Sequence, residues 1–185
     1  FKEELKVRIR SGQRILDLSS RDIAIFAISK LAESRDPETG NHLERIRYYS
    51  QALSETLMTM NYPSNELDIF FVSNLFLTSP LHDIGKIGIP DFVLLKPGRL
   101  DEKEYNIMKN HTIFGFNTLN EAAKKDTRAD YLRMSADIAL SHHEKFNGEG
   151  YPNKLRGKNI PLSARIVAVA DVYDALVSKR VYKKA

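Results

Sequence analysis

Five histidines and three carboxylates carry most of the chemistry this sequence can offer. They are His42, His82, His111, His142 and His143, with Glu38, Asp83 and Asp171. A lone helical histidine is more often structural or solvated than a ligand, but this company changes the balance. Neutral imidazole with carboxylate suits a divalent first-row transition metal. Asp171 lies in RIVAVADVYDAL, an apolar run that leaves almost no wet face. A carboxylate buried there requires a basic partner or a metal, and a metal is the better account. Glu38 precedes His42 by four residues and shares its face if a helix begins near Thr39. It serves equally well as an acid favouring that helix N-terminus.

The spacing asks for more than one ion. Adjacent helical residues diverge by about 100°, so His142 and His143 are expected to serve different ions, as are His82 and Asp83. Two metals suit phosphoester hydrolysis, because they activate water and stabilise the attacking and leaving oxygens. The stretch HHEKFNGEGYP then follows a helix end with three candidate pivots, Gly148, Gly150 and Pro152. Tyr151 there could stack on a base, donate to a phosphate, or simply pack on the core. Arg180 and Lys183 could grip phosphate, or be an ordinary basic helix end.

Helices must position these groups. The readings are a helix over 23–31, another from His42, a strongly apolar one over about 65–83 disturbed at Pro80, and one from about 101 to 122 opened by the capping-box spacing of DEKE. Two more cover 131–143 and 162–178. No alternating strand pattern occurs, so the fold class is all-α. Residues 1–20 read as a helical connector from an upstream domain, and residues 21–185 as one domain. The chain has 185 residues, 42% of them hydrophobic and 28% charged, enough for a real core. It has no cysteine, which excludes a disulfide scaffold, a thiolate metal site and a cysteine nucleophile. The net charge of +4 mildly favours an anionic ligand, but the dispersed basic residues give no stripe for DNA. No apolar run reaches membrane-spanning length. A cytoplasmic location is the expectation, with membrane attachment through an upstream region left open.

Three motifs in order, HDIGKIGIPD at 82–91, HHEKFNGEGYP at 142–152 and ADVYDALVSKRVYK at 170–183, resemble the HD-GYP family. This branch of the HD phosphohydrolases contains cyclic di-GMP phosphodiesterases, and the resemblance covers about 23–183. It implies an HD-domain helical bundle. It also implies metal positions at Glu38, His42, His82, Asp83, His111, His142, His143 and Asp171, with Glu38 marking the type that holds a third ion. Two or three divalent ions are thus implied, iron first and manganese as the alternative. Lys86 matches the lysine that helps hold the scissile phosphate or the attacking water, with Asp83 beside it. Tyr151, Arg180 and Lys183 match dinucleotide-contacting positions.

The implied reaction is hydrolysis of cyclic di-GMP to pGpG, with a further cut to GMP left open. The rivals are phosphodiesterase action on another cyclic dinucleotide such as cyclic GMP-AMP, and a receptor that binds without turnover. The resemblance implies diguanylate cyclases as partners meeting the GYP loop, while the helical connector at 1–20 suggests an upstream sensory or receiver domain and pairing with a second copy of the chain. Phe146 and Asn147 stand where Trp-Asp is commoner, which questions loop stability. Val181 replaces a frequent proline, which questions the placement of Arg180 and Lys183. Family domains usually continue beyond the point where this chain stops, so the domain is expected to be incomplete at its C-terminus.

Overall fold

A computed structural model describes residues 20–35, 41–126 and 129–178. Among them there is no strand, and all-α is correct. Helix α1 covers 20–33, and α2 runs His42–Thr59. Helix α3 is Ile69–Thr78. Two short 3-10 turns follow, Ser79–Leu81 and Ile84–Gly88. Helix α4 is Asp91–Leu94, α5 Glu102–Lys125 and α6 Asp130–Ser141. A long loop with one 3-10 turn leads to α7, Leu162–Val177.

Local chemistry sets the boundaries. Helix α3 starts later than the apolar run suggested, because the Asp68 carboxylate accepts from the Phe71 N–H at 2.7 Å and caps it there. The run then leaves α-geometry at Ser79–Pro80, and this tightening carries His82 and Asp83. Helix α5 begins with the expected capping box: Glu104 N–H donates to Asp101, and the Glu104 carboxylate accepts from Asp101 N–H.

Ile46 of α2, Phe71 and Leu75 of α3, Ile138 of α6, and Ile166 and Val167 of α7 form the main core. Burying such side chains contributes roughly 1.5–3 kcal/mol each before entropy is counted. A second cluster of Leu81, Leu119, Ala136 and Ala139 ties the first 3-10 turn to α5 and α6. One sequence expectation fails here. Helix α7 is not covered on all sides: Val172 is 59% and Leu176 80% exposed, and the Asp171 side chain keeps 24% of its exposure. Its fully sequestered acid is Asp174, at 3%.

Gly85 sets how closely the second 3-10 turn approaches α5. A Cβ there would lie 1.9 Å from the His111 carbonyl oxygen and 2.5 Å from Gly115 N, both backbone atoms. Gly85→Ala must therefore push the turn off α5 and separate Asp83 from His111. We expect a loss of at least about 1–3 kcal/mol, typical of overpacking, with weakened metal retention. Thermal melting together with metal analysis checks it; an unchanged melting temperature would contradict this packing account.

Candidate metal centre

Helix ends and helix interiors each deliver one or two donors to a common point. His42 opens α2, His82 and Asp83 follow the first 3-10 turn, His111 lies within α5, and His142 and His143 follow α6. Asp171 comes from α7. Donor atoms of Asp83, His111, His142 and His143 lie within 4.8 Å of one another, as do those of His42, His82 and Asp171. His111, His142, His82 and His42 are all nearly inaccessible to solvent.

The imidazole tautomers are fixed by their other nitrogen. His82 Nδ1 lies 2.9 Å from the Ser79 carbonyl, His111 Nδ1 2.7 Å from Met108, and His142 Nδ1 3.0 Å from Ile138. A carbonyl only accepts, so each Nδ1 must carry the proton and donate it. Each Nε2 lone pair is then left facing the cluster. His111 Nε2 stands 3.3 Å and His142 Nε2 3.6 Å from Asp83 Oδ1, with 3.5 Å between the two nitrogens. His82 Nε2 lies 3.5 Å from Asp83 Oδ2. Two lone-pair nitrogens at that separation cannot hydrogen-bond each other. Among the described residues His82 Nε2 and Asp83 Oδ1 are buried without a hydrogen-bond partner. Buried acceptors aimed at one another without protons between them are costly unless a cation sits among them. The donor set fits divalent metal ions.

Electrostatics agree. Burial drives the His111 pKa down to about 4, against the pull of Asp83, and drives His143 down to about 2 with help from neighbouring His142. Both rings are neutral at physiological pH and ready to donate. Burial opposes ionisation of Asp83, but Lys86, His82 and His142 outweigh it and hold the carboxyl well below the usual range. Lys86 Nζ is 2.8 Å from Asp83 Oδ2, so a cation stands at the cluster's edge.

His82 and Asp83 do divide between the two groups, but His142 and His143 do not: both belong to the Asp83 group, with ring centroids 4.1 Å apart. Helix α6 ends at Ser141, so the angular divergence of an ideal helix no longer applies to this pair. Tyr151 lies over His143, centroids 4.8 Å apart and planes 31° apart. Burial, with Tyr105 and Asp83 nearby, pushes its phenol up, so the hydroxyl stays protonated. Glu38, Arg180 and Lys183 lie outside the described residues.

Sequence reasoning overlooked two supports. Asp174 Oδ2 accepts from His42 Nδ1 at 2.8 Å, and Arg45 donates to both carboxylate oxygens, once at 3.0 Å. Burial opposes ionisation of Asp174, yet Arg45 and His42 hold its pKa below the ordinary value. His42 thereby joins the other rings in presenting Nε2, 3.8 Å from Asp171 Oδ1. The signal was present as matched i,i+3 pairs, His42 with Arg45 and Asp171 with Asp174. We expect Asp174→Asn to weaken metal binding about 10- to 100-fold with the fold intact, read by competition against a chelator. Unchanged metal affinity would remove Asp174 from the site.

The second overlooked support is Glu144, 5% exposed, which accepts from Asn153 N–H at 2.7 Å and Leu155 N–H at 3.0 Å. Of the three supposed pivots, Gly148 takes a positive φ of 83°. Gly150 acts instead by close approach, since a Cβ would meet Lys145 N at 2.3 Å. Asn147 stitches the turn, its Oδ1 accepting from Glu149 N–H at 3.0 Å. The residue standing in for the commoner aspartate is thus engaged in holding the loop.

The profile of the HD domain matches residues 27–185. A cyclic di-GMP phosphodiesterase of Vibrio cholerae is 48% identical over 90% of this chain and 34% of its own length. The cyclic di-GMP phosphodiesterase of Thermotoga maritima is 44% identical over 84% of this chain and 39% of its own. A Vibrio cholerae protein named 3'3'-cGAMP-specific phosphodiesterase 2 is 40% identical over 86% of this chain and 28% of its own. This chain thus spans well under half of these relatives. With the His-Asp pair at the junction of its helices and the GYP loop folded over it, the chain belongs to the HD domain family, in its HD-GYP branch.

Proposed function

We propose that this chain is a metal-dependent phosphodiesterase that hydrolyses cyclic di-GMP to pGpG and then GMP. The observation that supports it most is the convergence of proton-free Nε2 atoms on an ionised Asp83 beside the Lys86 ammonium. Asp83, His111, His142 and His143 would hold one divalent ion, and His42, His82 and Asp171 another. Glu38 is proposed for a third. Iron is the first choice and manganese the alternative. When bound, such ions supply activated water and charge compensation for in-line displacement at phosphorus.

The chain's own groups do the rest. Lys86 donates to a non-bridging phosphate oxygen and keeps Asp83 ionised. The Ser79, Met108 and Ile138 carbonyls hold the rings of His82, His111 and His142, so that their Nε2 atoms face the Asp83 carboxylate across the space an ion would fill. Tyr151 donates its hydroxyl proton to the dinucleotide, and Arg180 and Lys183 bind its phosphates. The names of the relatives support cyclic di-GMP first.

The similarity to a 3'3'-cGAMP-specific enzyme favours cyclic GMP-AMP as a second reading. A specificity comparison separates them: kcat/KM of the metal-loaded chain for both dinucleotides, side by side. Higher kcat/KM for cyclic di-GMP supports the first reading, and higher for cyclic GMP-AMP replaces it. The relatives' greater length is consistent with a sensory or receiver domain upstream of the 1–20 connector, and diguanylate cyclases and a second copy are proposed partners. No helix among the described residues is long and apolar enough to cross a membrane, and a cytoplasmic location is proposed.

A further inference from the structure

Beside the metal cluster, α5 and the loop after α6 enclose a groove of about 550 Å3 lined by Tyr105, Asn106, Lys109, Asn110, Lys145 and Tyr151. That volume lies in the range of roughly 300–1,000 Å3 usual for small-molecule sites. Nothing in the mechanism above uses its α5 wall. Tyr151 joins groove to cluster, since its ring also lies over His143. Tyr105 meets Tyr151 edge-on, centroids 6.2 Å apart at 82°, and is 47% exposed. Lys109 Nζ sits between them, 5.1 Å from the Tyr105 centroid and 5.9 Å from the Tyr151 centroid.

We infer that this groove is a guanine-selective base subsite, with Tyr105 as its stacking surface and Lys109 as the residue that reads the base. The inference rests on the phosphodiesterase reading and deepens it by naming what recognises the nucleobase. An ammonium has only donors. Guanine presents two adjacent acceptors, N7 and O6, where adenine presents one acceptor and one donor. Lys109 therefore meets two acceptors on guanine and a repelled amino group on adenine. The Asn106 and Asn110 side chains also line the groove, and their amide carbonyls would accept from the guanine N1–H and 2-amino group. The arrangement is written in α5 as two i,i+4 rows, Tyr105 with Lys109 and Asn106 with Asn110. Stacking on an aromatic face stabilises any base, so Tyr105 supplies affinity and Lys109 selectivity.

The test is calorimetric titration of the metal-loaded full chain with GMP and with AMP, for the wild type, Lys109→Ala and Tyr105→Ala. Circular dichroism and metal content check the fold, and Lys109→Gln replaces the alanine variant if that one loses helix. The wild type should bind GMP about tenfold tighter than AMP. Lys109→Ala should weaken GMP about tenfold and erase the preference, whereas Tyr105→Ala should weaken both nucleotides alike. Equal binding of GMP and AMP by the wild type, or a preference that survives in Lys109→Ala, overturns the subsite. A chain that prefers GMP through Lys109 yet leaves cyclic di-GMP uncut keeps the subsite and loses the phosphodiesterase reading. Turnover of cyclic di-GMP with no Lys109-dependent preference does the reverse.

Discussion

Asp83→Ala is expected to abolish hydrolysis of cyclic di-GMP and to strip metal from its histidine group. Its carboxylate stands at the centre of the group: Oδ1 is 3.3 Å from His111 Nε2 and 3.6 Å from His142 Nε2, while Oδ2 is 3.5 Å from His82 Nε2 and 2.8 Å from Lys86 Nζ. Removing it withdraws the carboxylate that faces these Nε2 atoms and leaves Lys86 without this counter-ion at the cluster. Metal catalysis of this kind supplies several kcal/mol to the transition state, so turnover should fall by roughly three orders of magnitude or more. Steady-state kinetics with metal analysis of the same samples measures both effects. A variant that keeps its metal and a tenth of the activity would remove Asp83 from the centre of the site.

Chelation carries the second largest effect, this time on stability. The site assembles histidines from four helices or their ends, so a ligand that binds only the folded state stabilises the whole bundle. At a free metal concentration 1,000-fold above Kd the stabilisation is about 4 kcal/mol. For a domain of this size that corresponds to roughly 10 °C in melting temperature. The stripped protein should also be sensitive to acid. The folded-state pKa values of His111, about 4, and His143, about 2, lie below the unfolded value of about 6.5. Above pH ~6.5 both states are neutral at these rings and pH has no effect through them. As pH falls below that, the unfolded chain takes up protons that the folded one refuses, and stability drops progressively toward pH 4. Differential scanning calorimetry with and without chelator, from pH 7.5 to 4.5, tests both points. Superimposable melting curves would mean that no metal is held.

The cluster was legible because its parts are rare residue types placed next to one another or at helix ends. His82 with Asp83, and His142 with His143, could be picked out before any fold was known. What each does locally was less legible. The angular argument separated His142 from His143 because it presumed that α6 continues, whereas it ends at Ser141. Asp171 was expected to be the sequestered acid of α7, yet Asp174 is, because the helix turns Val169, Val172 and Leu176 outward instead. An apolar run does not say which of its faces is covered. The Asp174–Arg45–His42 network depends on α2 lying against α7, a long-range fact that periodicity does not contain. Helix boundaries followed caps more faithfully than apolar content, as Asp68 and the capping box of α5 illustrate.

The most direct test of the account is product analysis after anaerobic incubation with cyclic di-GMP, comparing protein loaded with Fe(II) or Mn(II) against chelated protein. The metal content of each sample is counted, and products are separated by chromatography. The account predicts pGpG, followed by GMP, from the loaded sample alone, in proportion to its bound metal. Intact cyclic di-GMP in a sample with full metal occupancy would contradict it.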